Sequence, residues 1–135
     1  MVRLVLRIDF DETGAFGPGK ARLLELVDEH GSIRRAAAAM HMSYRQAWLL
    51  LEAVEKTFGA PVVATATGGA KGGGARLTEL GRTILARYRS IEKRAARAAG
   101  RELSALARAR SGMKASAEHG TSGPSRRRLP ARDRT

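Results

Sequence analysis

The chain has 135 residues and no cysteine, and its 25 lysines and arginines outnumber 13 aspartates and glutamates to give a net charge of +12. That length holds one domain with a modest core and a tail, and the charge points to a polyanion: nucleic acid first, an anionic membrane second. Disulfides and thiolate metal sites are excluded, a reducing cytoplasm fits, and no run of apolar residues is long enough to span a bilayer.

The basic charge is not spread evenly. Residues 1–31 carry four basic and six acidic side chains, residues 32–110 carry fifteen and five, and residues 111–135 carry six and two. The surface that meets the polyanion is therefore expected to begin near Ser32. The opening MVRLVLRIDF has no long apolar stretch followed by small residues, so no signal peptide is expected. Instead Val2, Leu4, Leu6, Ile8 and Phe10 alternate with Arg3, Val5, Arg7 and Asp9, which predicts a strand with one buried face.

Asp11 to Gly19 reads as loop. Leu23, Leu24, Leu26 and Val27 mark a first helix that stops near Gly31. Ser32 is a good N-cap for the short, alanine-rich SIRRAAAAM, and after a break at His41-Met42, Ser43 caps SYRQAWLLLEAVEKTF. In that second capped helix Ala47, Leu50, Leu51, Val54 and Phe58 share one face. Gly59 and Pro61 end it. Short strands near Val62–Thr65 and Arg76–Leu77 bracket a glycine-rich loop. Thr78 and Glu79 then open a long helix whose Leu80, Ile84, Tyr88, Ile91, Ala95 and Ala98 keep a nearly heptad spacing. Gly100 is a point of interruption, after which Leu103 and Leu106 mark a resumption. From Ser111 the composition is that of a disordered basic tail.

Three stretches are candidates for function. GAFGPGKA, from Gly14 to Ala21, nearly spells a nucleotide-binding loop between a strand and a helix. However, Ala21 stands where a hydroxyl must hold magnesium, and Pro18 removes a backbone donor. It is better read as a loop that starts a helix, so no enzyme activity and no cofactor is expected. His30, His41 and His119 lack helical i, i+4 spacing, and no metal site is expected.

Ser32 to Phe58 has the form of a helix-turn-helix. Ala36, Ala37 and Ala39 let another helix approach closely. The second helix opens on Ser43, Tyr44, Arg45 and Gln46, the positions that enter the major groove in this motif. Arg45 suits a bidentate contact to guanine; Tyr44 and Gln46 suit phosphates or base edges, and Ser43 a phosphate as well as the cap. Trp48, the only tryptophan, suits the edge of the core with its N–H at a polar rim. The third stretch, TATGGAKGGGARLT, is a hairpin with a glycine tip. Following a helix-turn-helix, it reads as a wing lying on the DNA backbone, with Thr67, Lys71, Gly72, Gly73 and Arg76 as its contacts.

These residues resemble the N-terminal winged helix-turn-helix domain of the ModE family of molybdate-dependent transcriptional regulators, whose helix-turn-helix is similar to that of LysR-type regulators. The resemblance rests on GSI at 31–33, MSYRQAW at 42–48 and ATGGAKGGGARLTELG at 66–81, and runs from about Val2 to Arg110. It implies a homodimeric DNA-binding domain with Ser43, Tyr44 and Arg45 on the recognition helix and Lys71 in the wing. His41 stands in a turn where the family often has glycine. After the last helix only 25 residues remain, with no strand pattern for the family's molybdate-binding modules, so this chain is expected not to bind molybdate itself.

The expected fold is thus mainly α with a small β wing: a winged helix-turn-helix over residues 1–110 with a long C-terminal dimerisation helix, then the tail of residues 111–135. Leu80, Ile84, Tyr88 and Ile91 are the expected dimer seam. The expected function is a cytoplasmic, nucleoid-associated transcriptional regulator binding an inverted-repeat operator in double-stranded DNA. The alternative is an architectural or non-specific nucleic-acid binder, which the basic tail SRRRLPARDRT favours.

Overall fold

The computed structural model describes residues 2–66 and 74–119, with side chains described as far as residue 112. The elements run β1 (Ile8–Asp9), a 3-10 turn (Asp11–Thr13), β2 (Ala15–Phe16), α1 (Pro18–His30), α2 (Ile33–Ala39), α3 (Tyr44–Phe58), β3 (Val63–Ala66), β4 (Gly74–Leu77), α4 (Glu79–Ala98) and α5 (Gly100–His119). β1 pairs antiparallel with β2, and β3 with β4 in the register Val63↔Leu77 to Ala66↔Gly74.

α1 is the central helix. Pro18 enters at its first turn, where the missing N–H costs nothing, and Gly31 closes it in the left-handed conformation with its N–H on the Val27 carbonyl. Ala21, Leu23, Leu24, Leu26 and Val27 are all buried. That spread covers more than one face, because α1 packs against α2, α3, α4 and β4 at once. Phe16 joins the core and packs edge-on against Tyr88 at 5.1 Å and Phe58 at 6.1 Å.

Lys20 of the GAFGPGKA stretch turns back to donate to the Ala15 carbonyl at 2.6 Å. The lysine thus ties the start of α1 to β2.

The hairpin is fixed to the helices at both ends. The Ala75 N–H donates to the Gly31 carbonyl at 2.9 Å, joining β4 to the α1–α2 junction. At the other end Thr78 caps α4 by accepting from the Gly81 N–H, donates its hydroxyl to the Pro61 carbonyl, and gives its own N–H to the Val62 carbonyl. Gly81 is buried there, and a Cβ on it would stand 2.3 Å from the Val62 carbonyl oxygen. Only glycine lets the helix pass the strand so closely.

The sequence expectations need three corrections. Only Ile8–Asp9 of the N-terminal segment is ladder-bonded, because the partner β2 is two residues long. β4 begins at Gly74 rather than Arg76. The interruption expected at Gly100 is found: α4 and α5 meet at Ala99, whose φ of −95° and ψ of 9° leave the helical region. α5 then runs on to His119, past the Ser111 where a tail was expected to begin; Ala115, Ala117 and Glu118 are good helix formers that outweigh Gly112.

Candidate nucleic-acid interface

The first helix of the pair, α2, is capped by Ser32, whose hydroxyl accepts from the Arg35 N–H at 3.1 Å. Ile33, Ala36 and Ala37 are buried, and the small alanine side chains let α2 seat closely between α1 and α3. The turn follows at once. His41 takes a left-handed φ of 56°, a conformation histidine tolerates better than most residues, and the Met42 N–H closes the turn on the Ala37 carbonyl at 3.0 Å.

Ser43 then starts α3, accepting from the Gln46 N–H at 3.0 Å. Ala47, Leu51 and Val54 are buried on the inner face, while Leu50 and Phe58 are half-covered against the same core. With that face fixed, Ser43, Tyr44, Arg45 and Gln46 are all exposed together at the N-terminus of α3. Among the described residues Arg45 makes no ion pair. The group is cationic and hydroxyl-rich, at the end of a helix where backbone N–H groups favour anions.

Two features of this surface are not visible in the sequence. The Arg34 guanidinium of α2 lies over the Tyr44 ring, 4.7 Å from its centroid. Trp48 meets the same ring edge-on at 6.2 Å while its other side packs on the core. Tyr44 is therefore held between a cation and an indole, and Arg34 stands beside the recognition residues. Leu49, one turn along α3 from Arg45, is 49% exposed. Its i, i+4 offset from Arg45 is the one signal in the sequence that places it on the same outer face.

Arg76 lies on β4 opposite Ala64, with its side chain exposed. The other expected wing contacts, Thr67, Lys71, Gly72 and Gly73, lie outside the described residues.

The expected dimer seam divides. Ile84 and Tyr88 are 7% and 2% exposed and belong to the protomer's own core, because α4 turns this face to α1 and Phe16. Most of their surface is thus covered within the protomer. Leu80 is half-covered at the rim of that core, and Ile91 is exposed.

Behind the interface, Glu25 of α1 accepts from Arg22 and from Arg89 of α4, the latter at 3.0 Å, and Arg89 also donates to Glu92 at 2.8 Å. Burial pushes the Glu25 carboxyl up, but the two arginines outweigh it and hold the pKa below the ordinary 4.5. The hydrogen bond with Glu92 raises that of Arg89; burial opposes the rise, and Glu25 adds to it. The described residues hold no group of side chains suited to a metal ion, and none of their helices is long and apolar enough to cross a membrane.

A capped helix pair with an exposed polar N-terminus on its second helix, followed by a two-stranded hairpin pinned beside it, is a winged helix-turn-helix. Residues 19–82 match the bacterial regulatory helix-turn-helix protein family of the lysR type. The chain is 38% identical over 87 residues to the molybdenum transport protein ModE of Azotobacter vinelandii, an alignment covering 64% of this chain and 32% of that protein. It is 34% identical over 90 residues to the transcriptional regulator ModE of Haemophilus influenzae, covering 67% and 35%. The molybdenum-pterin-binding protein MopA of Rhodobacter capsulatus is similar too, at 34% over 99 residues, covering 72% and 37%. The chain therefore spans about a third of the length of these relatives. Its fold is shared with the DNA-binding domain of CbnR, solved as a complex with DNA (TM-score 0.51, 24% identity, covering 65% of this chain and 95% of that one). Residues 19–82 thus form a LysR-type helix-turn-helix, in an N-terminal region homologous to ModE. The matched family is one of bacterial regulatory helix-turn-helix proteins, and the fold is that of the CbnR DNA-binding domain.

Proposed function

We propose that this chain is a ModE-type transcriptional regulator that reads an inverted-repeat operator in double-stranded DNA as a homodimer. The observation that carries the reading is the joint exposure of Ser43, Tyr44, Arg45 and Gln46 at the start of α3, with Arg45 free of any ion pair among the described residues. Arg45 supplies base readout, and Ser43, Tyr44 and Gln46 position the helix on phosphates or base edges. Thr67, Lys71, Gly72, Gly73 and Arg76 of the wing track the backbone, where charge gives affinity without sequence preference. The protein acts in the cytoplasm, on the nucleoid, and performs no chemistry. Molybdate is bound by none of its residues.

One observation favours the second reading, an architectural binder. Arg87, Arg94, Arg101 and Arg108 recur every seven residues along α4 and α5, are exposed, and form no ion pair among the described residues. Such exposed charge adds sequence-independent affinity. Competition with bulk genomic DNA separates the two. A regulator holds a site enriched from random duplexes against a large excess of competitor, and an architectural protein releases it.

A further inference from the structure

Among the described residues, the N-terminal segment leaves a strand edge without a partner. From Val2 to Phe10 exposure alternates strictly, even positions half-covered and odd positions open. That is the mark of an extended chain lying with one face on the domain. Yet only Ile8 and Asp9 are ladder-bonded. Among the described residues no backbone–backbone hydrogen bond involves Val2 to Leu6. The Leu6 carbonyl is held by the Tyr88 hydroxyl at 2.6 Å, which fixes the strand against α4.

The phase of the pairing says which groups are free. The Phe10 N–H donates to the Gly14 carbonyl at 2.8 Å, which is one bond of a hydrogen-bonded pair and sets the phase. In an antiparallel ladder such pairs alternate. Even residues therefore direct their backbone groups toward β2, and Arg3, Val5, Arg7 and Asp9 direct theirs to the open edge.

Resting on the homodimer reading, we infer that two copies join through this edge, pairing Val2–Phe10 antiparallel with itself about a two-fold axis at Leu6, so that β1 and its copy form the centre of a four-stranded sheet. Charge selects among the registers that pair most of the segment. Odd residues must face odd residues, which leaves a small set of alignments. Centring on Val5 sets Arg3 against Arg7, and centring on Arg7 sets that arginine against its own copy; like charges directly opposite are unfavourable. Centring on Leu6 sets Arg3 against Asp9 at both ends, with Val5 beside the stem of Arg7. It also lays Val2 and Leu4 of the second copy beside Phe10 and Ile8. Those two residues line an open apolar groove of about 250 Å³ with Phe16, Phe58, Leu80 and Ile84. The groove is then covered by residues of matching chemistry from the same pairing.

Because the chain has no cysteine, a single Leu6→Cys variant tests the axis directly. The two Leu6 residues form a non-hydrogen-bonded pair, with Cα atoms about 4.5 Å apart, within disulfide range. Mild oxidation is expected to cross-link Leu6→Cys dimers, and Ala86→Cys, an exposed control on α4, is expected to stay uncross-linked. In sedimentation, Arg3→Asp and Asp9→Arg are each expected to weaken the dimer about tenfold, and the double variant to restore it. A dimer that persists in both charge variants without a Leu6→Cys cross-link overturns this interface and leaves the homodimer reading standing. A wild-type protein that is monomeric both free and on DNA overturns the homodimer reading and this inference with it.

Discussion

The Arg34 guanidinium stands 4.7 Å above the centre of the Tyr44 ring, and this contact joins the two helices of the DNA-binding motif on their outer side. A cation over an exposed ring is worth about 0.5–1 kcal/mol. A double-mutant cycle of Arg34→Ala and Tyr44→Leu, followed by Trp48 fluorescence in urea, is expected to return a coupling of that size. Additive effects would show that the two side chains merely lie near each other.

Ser43 has two separable tasks. Ser43→Ala removes the acceptor for the Gln46 N–H and is expected to cost about 1 kcal/mol of stability. Ser43→Asp keeps a cap of equal quality and adds a negative charge where phosphate is expected. Its unfolding midpoint should stay near wild type while DNA affinity falls about tenfold or more. Thermal unfolding and fluorescence anisotropy on the same samples read the two effects apart.

Gly81 is the most constrained glycine among the described residues. A Cβ there meets the Val62 carbonyl oxygen, which already accepts from the Thr78 N–H. Gly81→Ala is expected to destabilise the protein by about 1–3 kcal/mol, as overpacking does, despite alanine's higher helix propensity. Denaturant unfolding checks this against Gly19→Ala, where nothing lies within 4 Å of the new methyl.

The Glu25–Arg89 pair gives a small acid dependence. Since the folded carboxyl titrates below its ordinary value of 4.5, its contribution is present above that value and is lost as the pH falls through the lower, folded value. With Glu25 38% exposed, solvent screening holds it below about 1 kcal/mol. Urea midpoints measured from about pH 6 to about pH 3 should fall less steeply for Glu25→Gln than for wild type.

What the sequence revealed and what it hid divide along physical lines. Caps and turns are local, so Ser32, Ser43, Thr78, Gly31 and Gly59 announced the helix ends, and each is found at its expected end. The short strands of the hairpin announced themselves through the glycine tract between them. Packing partners are not local. The heptad-like spacing of Leu80, Ile84, Tyr88 and Ile91 is that of a helix with one apolar face, and spacing alone does not say whether the face covers its own core or a second copy. Here the middle two cover the core. Alternation over Val2–Phe10 revealed an extended, half-covered segment, but a ladder needs a partner strand that the pattern does not contain. Arg34 escaped notice because its importance comes from Tyr44, ten residues on and across a turn.

The central claim is that the start of α3 reads DNA sequence, and Arg45→Ala tests it most directly. A duplex enriched from a random library by the wild-type protein, and an unselected duplex of equal length, are titrated with both proteins across a salt series. The account predicts that Arg45→Ala loses about 1–3 kcal/mol on the enriched site, relaxes preference at one base position in each half-site, and binds unselected duplex nearly as before. Equal losses on both duplexes, with the preference between them unchanged, would contradict it: Arg45 would then be one more phosphate contact, and the specificity of the protein would lie outside α3.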